Sequence, residues 1–310
     1  MLALTGCTGK IGGAVLSALL SQNLISPSEL VICTSSNTDG EQFSSLRQQG
    51  ASVRNSNYDD PKSMVKAFSG CSKLFLVSTP KIELDFNNAS HGSGREKQHF
   101  AAIDAAVKAG VKHVYYTSLA FGDDSEAGVM QAHLRTEAYL KSLKDKVQYT
   151  IIREGLYNES WPLYLGYYFD LMKEQREKVI VAADGPISWT SIADLGLATA
   201  LVLVDETRKF EEKTFYLSGL ETKTLREIAK VVSEVKGKMV EVEVVGPEEY
   251  VRHYVEKGRT RASVQWWVSS YKELERGECD IKDRTFSELL QKRGVRPKPV
   301  EDTIREMLVA

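Results

Sequence analysis

The segment LALTGCTGKIGG, residues 2–13, joins a short apolar run to a helical pattern through three glycines that lie three residues apart. Gly6 is placed to form a tight turn, Gly9 to let the backbone approach a pyrophosphate, and Gly12 to let the helix pack on the strand. The free amides at the start of such a helix offer hydrogen bonds and a partial positive charge to phosphates. The segment therefore predicts the phosphate-binding turn of a dinucleotide-binding domain.

The rest of the N-terminal half repeats this strand-then-helix pattern. Strands and helices alternate from residue 2 to residue 155, and the strands are continuous apolar runs such as ELVICTS (29–35) and KLFLVST (73–79). Continuous rather than alternating apolar runs are typical of parallel strands that helices cover on both faces. Six such strands predict an α/β fold with a Rossmann, doubly wound parallel sheet.

The pattern changes after about residue 157, where aromatic residues become frequent. The segment ESWPLYLGYYFDLMKEQREK (159–178) predicts one helix beside the cleft. Its aromatic side chains either pack in the core or line a pocket, and the same two alternatives hold for Trp266 and Trp267. The predicted division is a Rossmann domain at 1–157, to which 187–219 returns, and a smaller, mostly helical substrate or cap domain at 158–186 and 220–310.

The composition is that of an ordinary globular protein and argues against several function classes. Lys plus Arg is 40 and Asp plus Glu is 42, which gives a net charge of −2. The chain therefore lacks the excess of positive charge that is typical of proteins that bind nucleic acids directly. No apolar run is long enough to span a membrane, and the N-terminus lacks a signal-peptide pattern. The four cysteines have no C-x-x-C spacing and no histidine cluster beside them, which predicts free thiols, a cytoplasmic location and no metal site.

The end of the second predicted strand decides between the two nicotinamide dinucleotides. NAD-binding proteins usually carry an acidic residue there for the ribose hydroxyls. In this chain the strand ends in Thr34, Ser35 and Ser36, the first acid is Asp39, and no arginine lies at the turn. Hydroxyl groups and backbone amides can hold a 2′-phosphate, which a carboxylate would repel. The sequence therefore favours NADP(H), with NAD(H) as the alternative.

A set of motifs spread along the chain gives a resemblance to a known family. They are TGCTGKIGG (5–13), NYDDP (57–61), AGVKHVYYTSL (109–119), HLRTE (133–137), REGLYNE (153–159) and SWTSIADLGLA (188–198). In this order and spacing, the chain resembles the NmrA-like family of atypical short-chain dehydrogenases over nearly its whole length. The family includes NADPH-dependent quinone reductases, triphenylmethane reductases and redox-sensing transcriptional regulators. The resemblance therefore implies the fold and leaves the activity open.

The resemblance also points to the fifth helix, where typical short-chain dehydrogenases carry a catalytic Tyr-x-x-x-Lys pair. Here that helix carries His133 and Glu137, in the H-x-x-T-E pattern of NmrA-like reductases. Three interpretations stay open: a metal site with only two ligands, a structural pair in which Glu137 orients His133 toward the ribose or nicotinamide, and an acid–base pair. We take His133, Glu137 and Tyr157 as candidate catalytic residues, with Tyr157 as a substrate contact.

Residues at the carboxyl ends of the strands complete the candidate site, because ligands of such sheets bind there. Gly155 would let the backbone pass close to the nicotinamide. Reductases of the family often carry Asn after the Arg of the sixth strand, where this chain has Glu154. For Asn57 and Thr79, simple turn formation is the alternative role. The predicted cofactor-binding residues are Gly6, Thr8, Gly9, Lys10, Ile11, Gly12, Thr34, Ser35, Ser36, Asn57, Tyr58, Ser78, Thr79, Thr117, Ser118, His133, Gly155 and Leu156.

The predicted reaction is hydride transfer from NADPH to a quinone or another conjugated aromatic acceptor. Delocalisation stabilises the anion that forms from a quinone, so such an acceptor does not require a Tyr–Lys dyad, and catalysis rests mainly on positioning. The alternative is a non-catalytic NADP-binding redox sensor or transcriptional regulator that acts through a protein partner, in which case the location is nuclear. Either form could be a homodimer.

Overall fold

A parallel sheet runs through the computed structural model, which describes residues 1–168 and 177–309. In this described part the sheet has seven strands, in the order β10-β6-β5-β4-β1-β2-β3, and all neighbouring pairs are parallel. These strands are β1 (Leu2–Leu4), β2 (Leu30–Thr34), β3 (Ser52–Asn55), β4 (Lys73–Leu76), β5 (His113–Leu119), β6 (Gln148–Glu154) and β10 (Lys213–Leu217). The chain reverses its direction of winding between β1 and β4, so the predicted doubly wound Rossmann sheet is confirmed.

Helices cover both faces of this sheet. The described helices are α1 (Lys10–Ser21), α2 (Ser44–Gln48), α3 (Pro61–Phe68), α4 (Glu96–Ala109), α5 (Gly128–Ser142), α6 (Trp161–Tyr164), α7 (Ile192–Leu203), α8 (Leu225–Lys236), α9 (Pro247–Glu256), α10 (Arg261–Glu275), α11 (Thr285–Gln291) and α12 (Val300–Val309). One apolar cluster joins α1, α7 and α11 to one face of the sheet, and a second joins α3, α4 and α5 to the other. The fully apolar strands follow from this double coverage.

Local signals in the sequence set several of these helix ends. The Asp60 carboxylate accepts hydrogen bonds from the amides of Lys62 and Ser63 at the start of α3, as expected for an N-cap. At α8, Thr224 and Glu227 form a reciprocal capping box. Gly110 ends α4 in the left-handed conformation, with φ of 82°, which glycine adopts without a steric penalty.

The remaining strands lie outside the main sheet and form two smaller sheets. They are β7 (Leu156–Tyr157), β8 (Lys178–Val181), β9 (Ile187–Thr190), β11 (Thr222–Lys223) and β12 (Glu241–Val244). They form a three-stranded sheet in the order β11-β9-β7 and a parallel pair of β12 with β8. A third apolar cluster packs these strands against α8, α9, α10 and α12. The division into domains that the sequence suggests stays a prediction.

The predicted helix over 159–178 is wrong for the residues that directly follow α6. The helix ends at Tyr164, and Gly166, Tyr167 and Tyr168 have φ of 76°, 49° and 63°. Positive φ values are incompatible with a right-handed helix, so Tyr167 and Tyr168 do not continue α6. Residues 169–176, including the aromatic Phe169 of the predicted helix, lie outside the described residues.

Two further findings concern the cysteines and the length of the helices. All four cysteines are free thiols: Cys33, Cys71 and Cys279 are buried, and Cys7 is partly exposed. Among the described residues, none of the helices combines the length and the apolar character needed to cross a bilayer.

We predict that Gly196→Ala destabilises the protein at the contact between α1 and α7. A Cβ atom at Gly196 would lie 2.7 Å from the backbone carbon and from the Cβ of Ala14. Overpacking of this kind costs about 1–3 kcal/mol, which outweighs the roughly 1 kcal/mol that alanine gains in helix propensity. Urea unfolding should show a net loss of about 1 kcal/mol or more.

Gly246→Ala is the matched control for this substitution. Gly246 has φ of −66° at the start of α9, and nothing lies within 4 Å of an added Cβ. Gly246 is the N-cap of α9, where alanine is a poorer residue than glycine, so the stability should fall by no more than about 1 kcal/mol. A Gly196→Ala protein as stable as the control would contradict the close helix contact.

Candidate functional site

The glycine turn has the tight geometry that a phosphate-binding loop requires. Gly6 has φ of +66°, and a Cβ there would lie 2.9 Å from the Cβ of Val77. The amide of Gly9 donates to the carbonyl of Gly6 at 2.9 Å and closes the turn. A Cβ on Gly12 would lie 2.3 Å from the Gly6 carbonyl oxygen, so helix α1 can approach the turn only because residue 12 is glycine.

The N-terminus of α1 keeps its backbone donors available. Gly9 is the N-cap and has no side chain to accept hydrogen bonds, and the first turn carries no acidic residue. The partial positive charge of the helix dipole is therefore uncompensated at this end. An anion placed before the helix would supply the missing acceptors.

This helix end opens into a cleft of about 490 Å³ along the carboxyl edge of the sheet. Three cationic side chains, Lys10, Lys81 and Arg95, line it, and none of the described lining residues is Asp or Glu. The structure brings together in this lining Gly6, Thr8, Gly9, Lys10, Ile11, Thr34, Ser35, Asn57, Tyr58, Ser78, Thr79 and Tyr157 of the predicted site. The cleft therefore suits a ligand with negative charges at more than one position.

Sequence reasoning missed several residues of this cleft, of which two are charged. Arg95 is buried, and its Nε donates to Asp85 Oδ2 at 2.6 Å. Lys81 pairs with the exposed Asp59 at 2.6 Å. Lys81 follows Thr79 and Pro80 at the end of β4, and its position after a strand could have identified it, whereas Arg95 precedes α4 and carries no such signal. The uncharged residues that were missed are Thr5, Cys33, Ser56, Val77 and Pro80.

An arginine on α2 contacts the loop after β2, which the sequence did not predict. Arg47, on α2, donates from Nη1 to the carbonyl of Thr38 at 2.5 Å, and its Nη2 reaches the carbonyls of Asp39 and Gly40. The sequence has no arginine at the turn itself, as expected. The fold nevertheless brings Arg47 to the loop that follows the turn. Ser36 does not line the cleft, and its amide donates to Thr34 Oγ1 at 3.1 Å.

His133 lies in a buried hydrogen-bonded chain rather than in the cleft. Its Nδ1 is 2.9 Å from the hydroxyl of Tyr116, and it lines neither the cofactor-sized cleft nor the aromatic cleft described below. Burial, together with the nearby charge of Arg95, lowers the pKa of His133 well below its ordinary value. The imidazole is therefore neutral at pH 7, and the structure does not favour its predicted role as an acid.

The same chain anchors the loop that follows β4. The amide of Thr79 donates to His99 Nε2 at 3.0 Å, so the proton of the neutral imidazole is on Nδ1. This Nδ1 lies 2.9 Å from Thr136 Oγ1, whose own hydroxyl donates to the carbonyl of Ala132. Burial lowers the pKa of His99 to about 3, which keeps this arrangement fixed at neutral pH. Thr136 of the H-x-x-T-E pattern therefore holds Thr79 in place through His99.

Glu137 forms a buried ion pair instead of orienting His133. Arg153 donates from Nε to Glu137 Oε1 at 3.0 Å and from Nη2 to Oε2 at 2.8 Å. Ser118 Oγ also donates to Oε1 at 2.6 Å, and Arg153 Nη1 donates to the hydroxyl of Tyr216 at 2.8 Å. The expected contact between Glu137 and His133 is therefore wrong, because the carboxylate is used to join α5 to β5, β6 and β10.

Other predicted residues also have partners within the protein. Thr117 Oγ1 accepts from the amide of Ser78 at 2.9 Å and so ties β5 to the loop after β4. A Cβ on Gly155 would lie 2.1 Å from Thr190 Oγ1 and 2.6 Å from Ser218 Oγ. Gly155 is therefore required by its own neighbours in the fold. Leu156 lines a second, aromatic cleft rather than the first.

The aromatic cleft has a volume of about 200 Å³ and adjoins the first one. Its lining includes two serines and, of the described residues, no charged side chain. Of the aromatic residues that the sequence left open, Trp161 is fully buried in the core. The aromatic side chains that line the cleft are Tyr157, Tyr164, Tyr167, Tyr168, Trp266 and Trp267. Because Tyr157 lines both clefts, a flat apolar ligand in one would lie beside the end of a ligand in the other.

A buried carboxyl group lies behind Tyr157. The tyrosine hydroxyl donates to Glu154 Oε2 at 2.5 Å, and Glu154 Oε1 has no hydrogen-bond partner among the described residues. Glu154 is 2% exposed. Burial raises its pKa to about 8, against the lowering effect of the hydrogen bond from Tyr157. The carboxyl group is therefore largely protonated at neutral pH.

The described residues hold no group of three or more His, Cys, Asp or Glu side chains with the geometry of a metal site. This applies to the pair of His133 and Glu137 as well, because Arg153 and Tyr116 already occupy their polar atoms.

Comparison with known proteins gives a consistent set of relatives. A model of the NmrA-like family matches residues 1–275. The NmrA-like family domain-containing oxidoreductase flvB of Aspergillus flavus is 33% identical, over 99% of this chain and 94% of its own. Quinone oxidoreductase 2 of Escherichia coli is 32% identical, over 77% of this chain and 76% of its own. The crystal structure of the Citrobacter sp. triphenylmethane reductase complexed with NADP(H) is 28% identical, covers 99% of this chain and 100% of its own, and has a TM-score of 0.79.

We predict that Glu154→Gln stabilises the protein increasingly as the pH rises. In the unfolded chain a glutamate ionises near its ordinary pKa of 4.5, whereas in the folded protein Glu154 ionises near 8. Between these values the folded state binds the extra proton, so the wild type loses stability with rising pH, and glutamine does not. The melting temperature of the variant relative to wild type should rise by at least about 2 °C between pH 5 and pH 8.

Glu248→Gln, at an exposed position on α9, is the control for this comparison. Its melting temperature should follow that of wild type across the same pH range. A Glu154→Gln difference that stays constant with pH would show that Glu154 is ionised in the folded protein.

Proposed function

The chain belongs to the NmrA-like family, and with this as the premise we propose that it transfers a hydride from NADPH to a quinone or a similar conjugated aromatic acceptor. One observation carries the proposal. A cationic cleft at a glycine turn meets an aromatic cleft at Tyr157, so the two reactants of such a transfer would lie side by side. The oxidoreductase names of the two curated relatives support a reductase.

The first cleft fits a dinucleotide at several points. Residue 12 must be glycine for α1 to reach the turn, and the amides at the start of that helix are free to bind a pyrophosphate. Lys10 adds positive charge at the glycine turn, whereas the charge of Arg95 in the same lining is balanced by Asp85. When bound, the dinucleotide would supply the hydride, and the protein would supply its position.

The phosphorylated form of the dinucleotide fits better than the plain one. Thr34 and Ser35 line the cleft at the end of β2, where no carboxylate is present to repel a 2′-phosphate. Arg47 adds a positive charge to the neighbouring loop. The related Citrobacter reductase was crystallised with NADP(H), which supports the same preference here.

The second cleft favours a flat, conjugated acceptor. Rings of tyrosine and tryptophan offer large apolar faces, and the described lining has no charge that would bind a small polar substrate. His133 is neutral and lies away from both clefts, and the chain lacks a Tyr–Lys dyad on α5. Simple ketones, which need a strong proton donor, are therefore disfavoured against quinones.

The test is steady-state oxidation of NADPH by the purified protein, followed by absorbance with a panel of quinones and cationic dyes. We expect NADPH to be consumed with at least one quinone. Gly12→Ala is the negative control, because its Cβ would overlap the Gly6 carbonyl, and its melting temperature shows whether it folds. A protein that binds NADPH but consumes none with any acceptor would instead support a redox sensor that acts through a partner.

We predict that Ser35→Asp weakens NADPH binding at the end of β2. A carboxylate there would face the 2′-phosphate, and two like charges about 4 Å apart repel by roughly 1–4 kcal/mol at surface dielectric values. Since 1.4 kcal/mol is about tenfold in affinity, the Kd for NADPH should rise at least about tenfold, and the Kd for NADH much less. Fluorescence titration measures both constants.

Ser35→Asn has nearly the same shape as the aspartate variant and carries no charge. It should leave the ratio of the two dissociation constants close to that of wild type. Equal weakening of NADPH binding by both variants would argue against a phosphate at this position.

A further inference from the structure

We propose that Glu154 and Tyr157 form a proton relay, in which Tyr157 donates a proton to the reduced acceptor and Glu154 restores the proton of Tyr157. The inference rests on the proposed function and assigns the source of the proton that quinone reduction needs. Tyr157 would be a catalytic residue at the junction of the two clefts. Glu154 would act only through Tyr157.

The contacts of Glu154 are those of a proton donor rather than of a structural carboxylate. Its side chain is 2% exposed, and among the described residues its hydrogen-bond partner is the hydroxyl of Tyr157, at 2.5 Å from Oε2. The neighbouring cation, Arg153, is already paired with Glu137. Successive residues of a strand point to opposite faces, so Arg153 and Glu154 lie on opposite sides of β6. Among the described residues, the hydrogen bond from Tyr157 is therefore the interaction that stabilises an ionised Glu154, and burial outweighs it.

The surroundings of the pair favour the protonated form of both groups. The groups that most affect the pKa of Tyr157 are Glu154, Tyr164 and Glu159, and none of them is a cation. The cations of the cleft that Tyr157 lines are Lys10, Lys81 and Arg95, and Lys81 and Arg95 are paired with Asp59 and Asp85. Glu159 is held by the amide of Ile192, which lies 3.2 Å from each of its carboxylate oxygens. Burial and these neighbours raise the pKa of Tyr157 well above its ordinary value. A lone tyrosinate is therefore costly here.

The relay supplies the proton that the proposed reaction consumes. When bound, NADPH supplies two electrons and a hydrogen as hydride, and a quinone that accepts it is left with one oxide oxygen. When Glu154 is protonated, its carboxyl O–H donates to the Tyr157 oxygen, which leaves the Tyr157 proton free for the acceptor. The Tyr157 hydroxyl then gives its proton to the oxide oxygen while the Glu154 carboxyl gives its proton to the Tyr157 oxygen, so no free tyrosinate forms. Glu154 is left as a carboxylate and regains a proton from water after the product leaves. A carboxyl group with a pKa near 8 can protonate an aryl oxide, whose conjugate acid resembles tyrosine with a pKa of about 10.

The kinetic test compares an acceptor that needs a proton with one that does not. Reduction of a quinone consumes a proton, whereas hydride addition to a triphenylmethane dye cation gives a neutral product directly. In Glu154→Gln and in Tyr157→Phe, the rate of quinone reduction relative to that of malachite green should fall about tenfold or more. The double variant should lose little beyond either single variant, because both substitutions break the same relay.

The pH profile separates proton supply from a structural effect. The wild-type kcat with the quinone should fall as the pH rises through about 8, where Glu154 loses its proton. The kcat of Glu154→Gln should not fall in this pH range, because glutamine does not titrate. If the dye is not a substrate, this pair of profiles with the quinone decides the question alone.

A readout independent of turnover is the infrared spectrum of the protein without cofactor at pH 7. Wild type should show the carbonyl stretch of protonated carboxylic acids, and Glu154→Gln should lose part of that band. Glu273, whose burial raises its pKa to about 7, contributes to the same region, and Glu273→Gln identifies its share. An unchanged band in Glu154→Gln would overturn the relay.

The outcomes distinguish the relay from the function on which it rests. Wild-type protein that reduces neither quinones nor dyes would overturn both. Wild-type protein that reduces quinones, with a Glu154→Gln variant of equal rate and identical pH profile, would overturn the relay alone. A selective loss with the quinone, together with the missing infrared component, would support it.

Discussion

The buried ion pair between Glu137 and Arg153 is the interaction on which the site depends. It joins α5 to β6, and Ser118 and Tyr216 extend it to the strands on either side. Removing one partner of a buried ion pair typically costs roughly 3–5 kcal/mol. Here the loss is smaller, because Arg153 Nη2 also lies 2.7 Å from Asp123 and Glu137 Oε2 lies 3.7 Å from Lys141. The pair therefore fixes the end of β6, from which Glu154, Gly155 and Tyr157 continue to the junction of the two clefts. Catalytic geometry here is set by a contact that faces away from the reactants.

The sequence predicted the fold well because its signals are local. The glycine spacing at residues 6, 9 and 12, the apolar strands and the helix caps each act over a few residues. It also predicted residues that the structure brings together along one cleft, since strand ends of a parallel sheet meet at one edge. That these residues bind the cofactor stays a prediction. It failed for His133 and Glu137, whose roles depend on Tyr116 and Arg153, residues far away in the chain. The aromatic segment failed because periodicity does not reveal the positive φ values at Tyr167 and Tyr168.

The two clefts divide the chemistry between different parts of the chain. Residues of the first half of the sheet provide the glycine turn and the positive charge, and they would act on any dinucleotide. Residues after β6 and on α10 provide the aromatic rings, which would determine what lies against the dinucleotide. Relatives that share about a third of their residues with this chain include an oxidoreductase and a quinone oxidoreductase. Under the proposed function, changes in the second set of residues alone would alter the acceptor while the binding of the dinucleotide is kept.

The free cysteines have a consequence if the proposed acceptor is a quinone. Quinones are electrophiles that arylate thiolates, and a neutral thiol reacts far more slowly than its anion. Cys7 lies in the glycine turn itself, and burial raises its pKa to about 12. Cys33, which lines the same cleft, also has its pKa raised by burial. The thiols nearest the site thus stay in their unreactive form, which would protect the protein against covalent inactivation by an electrophilic acceptor.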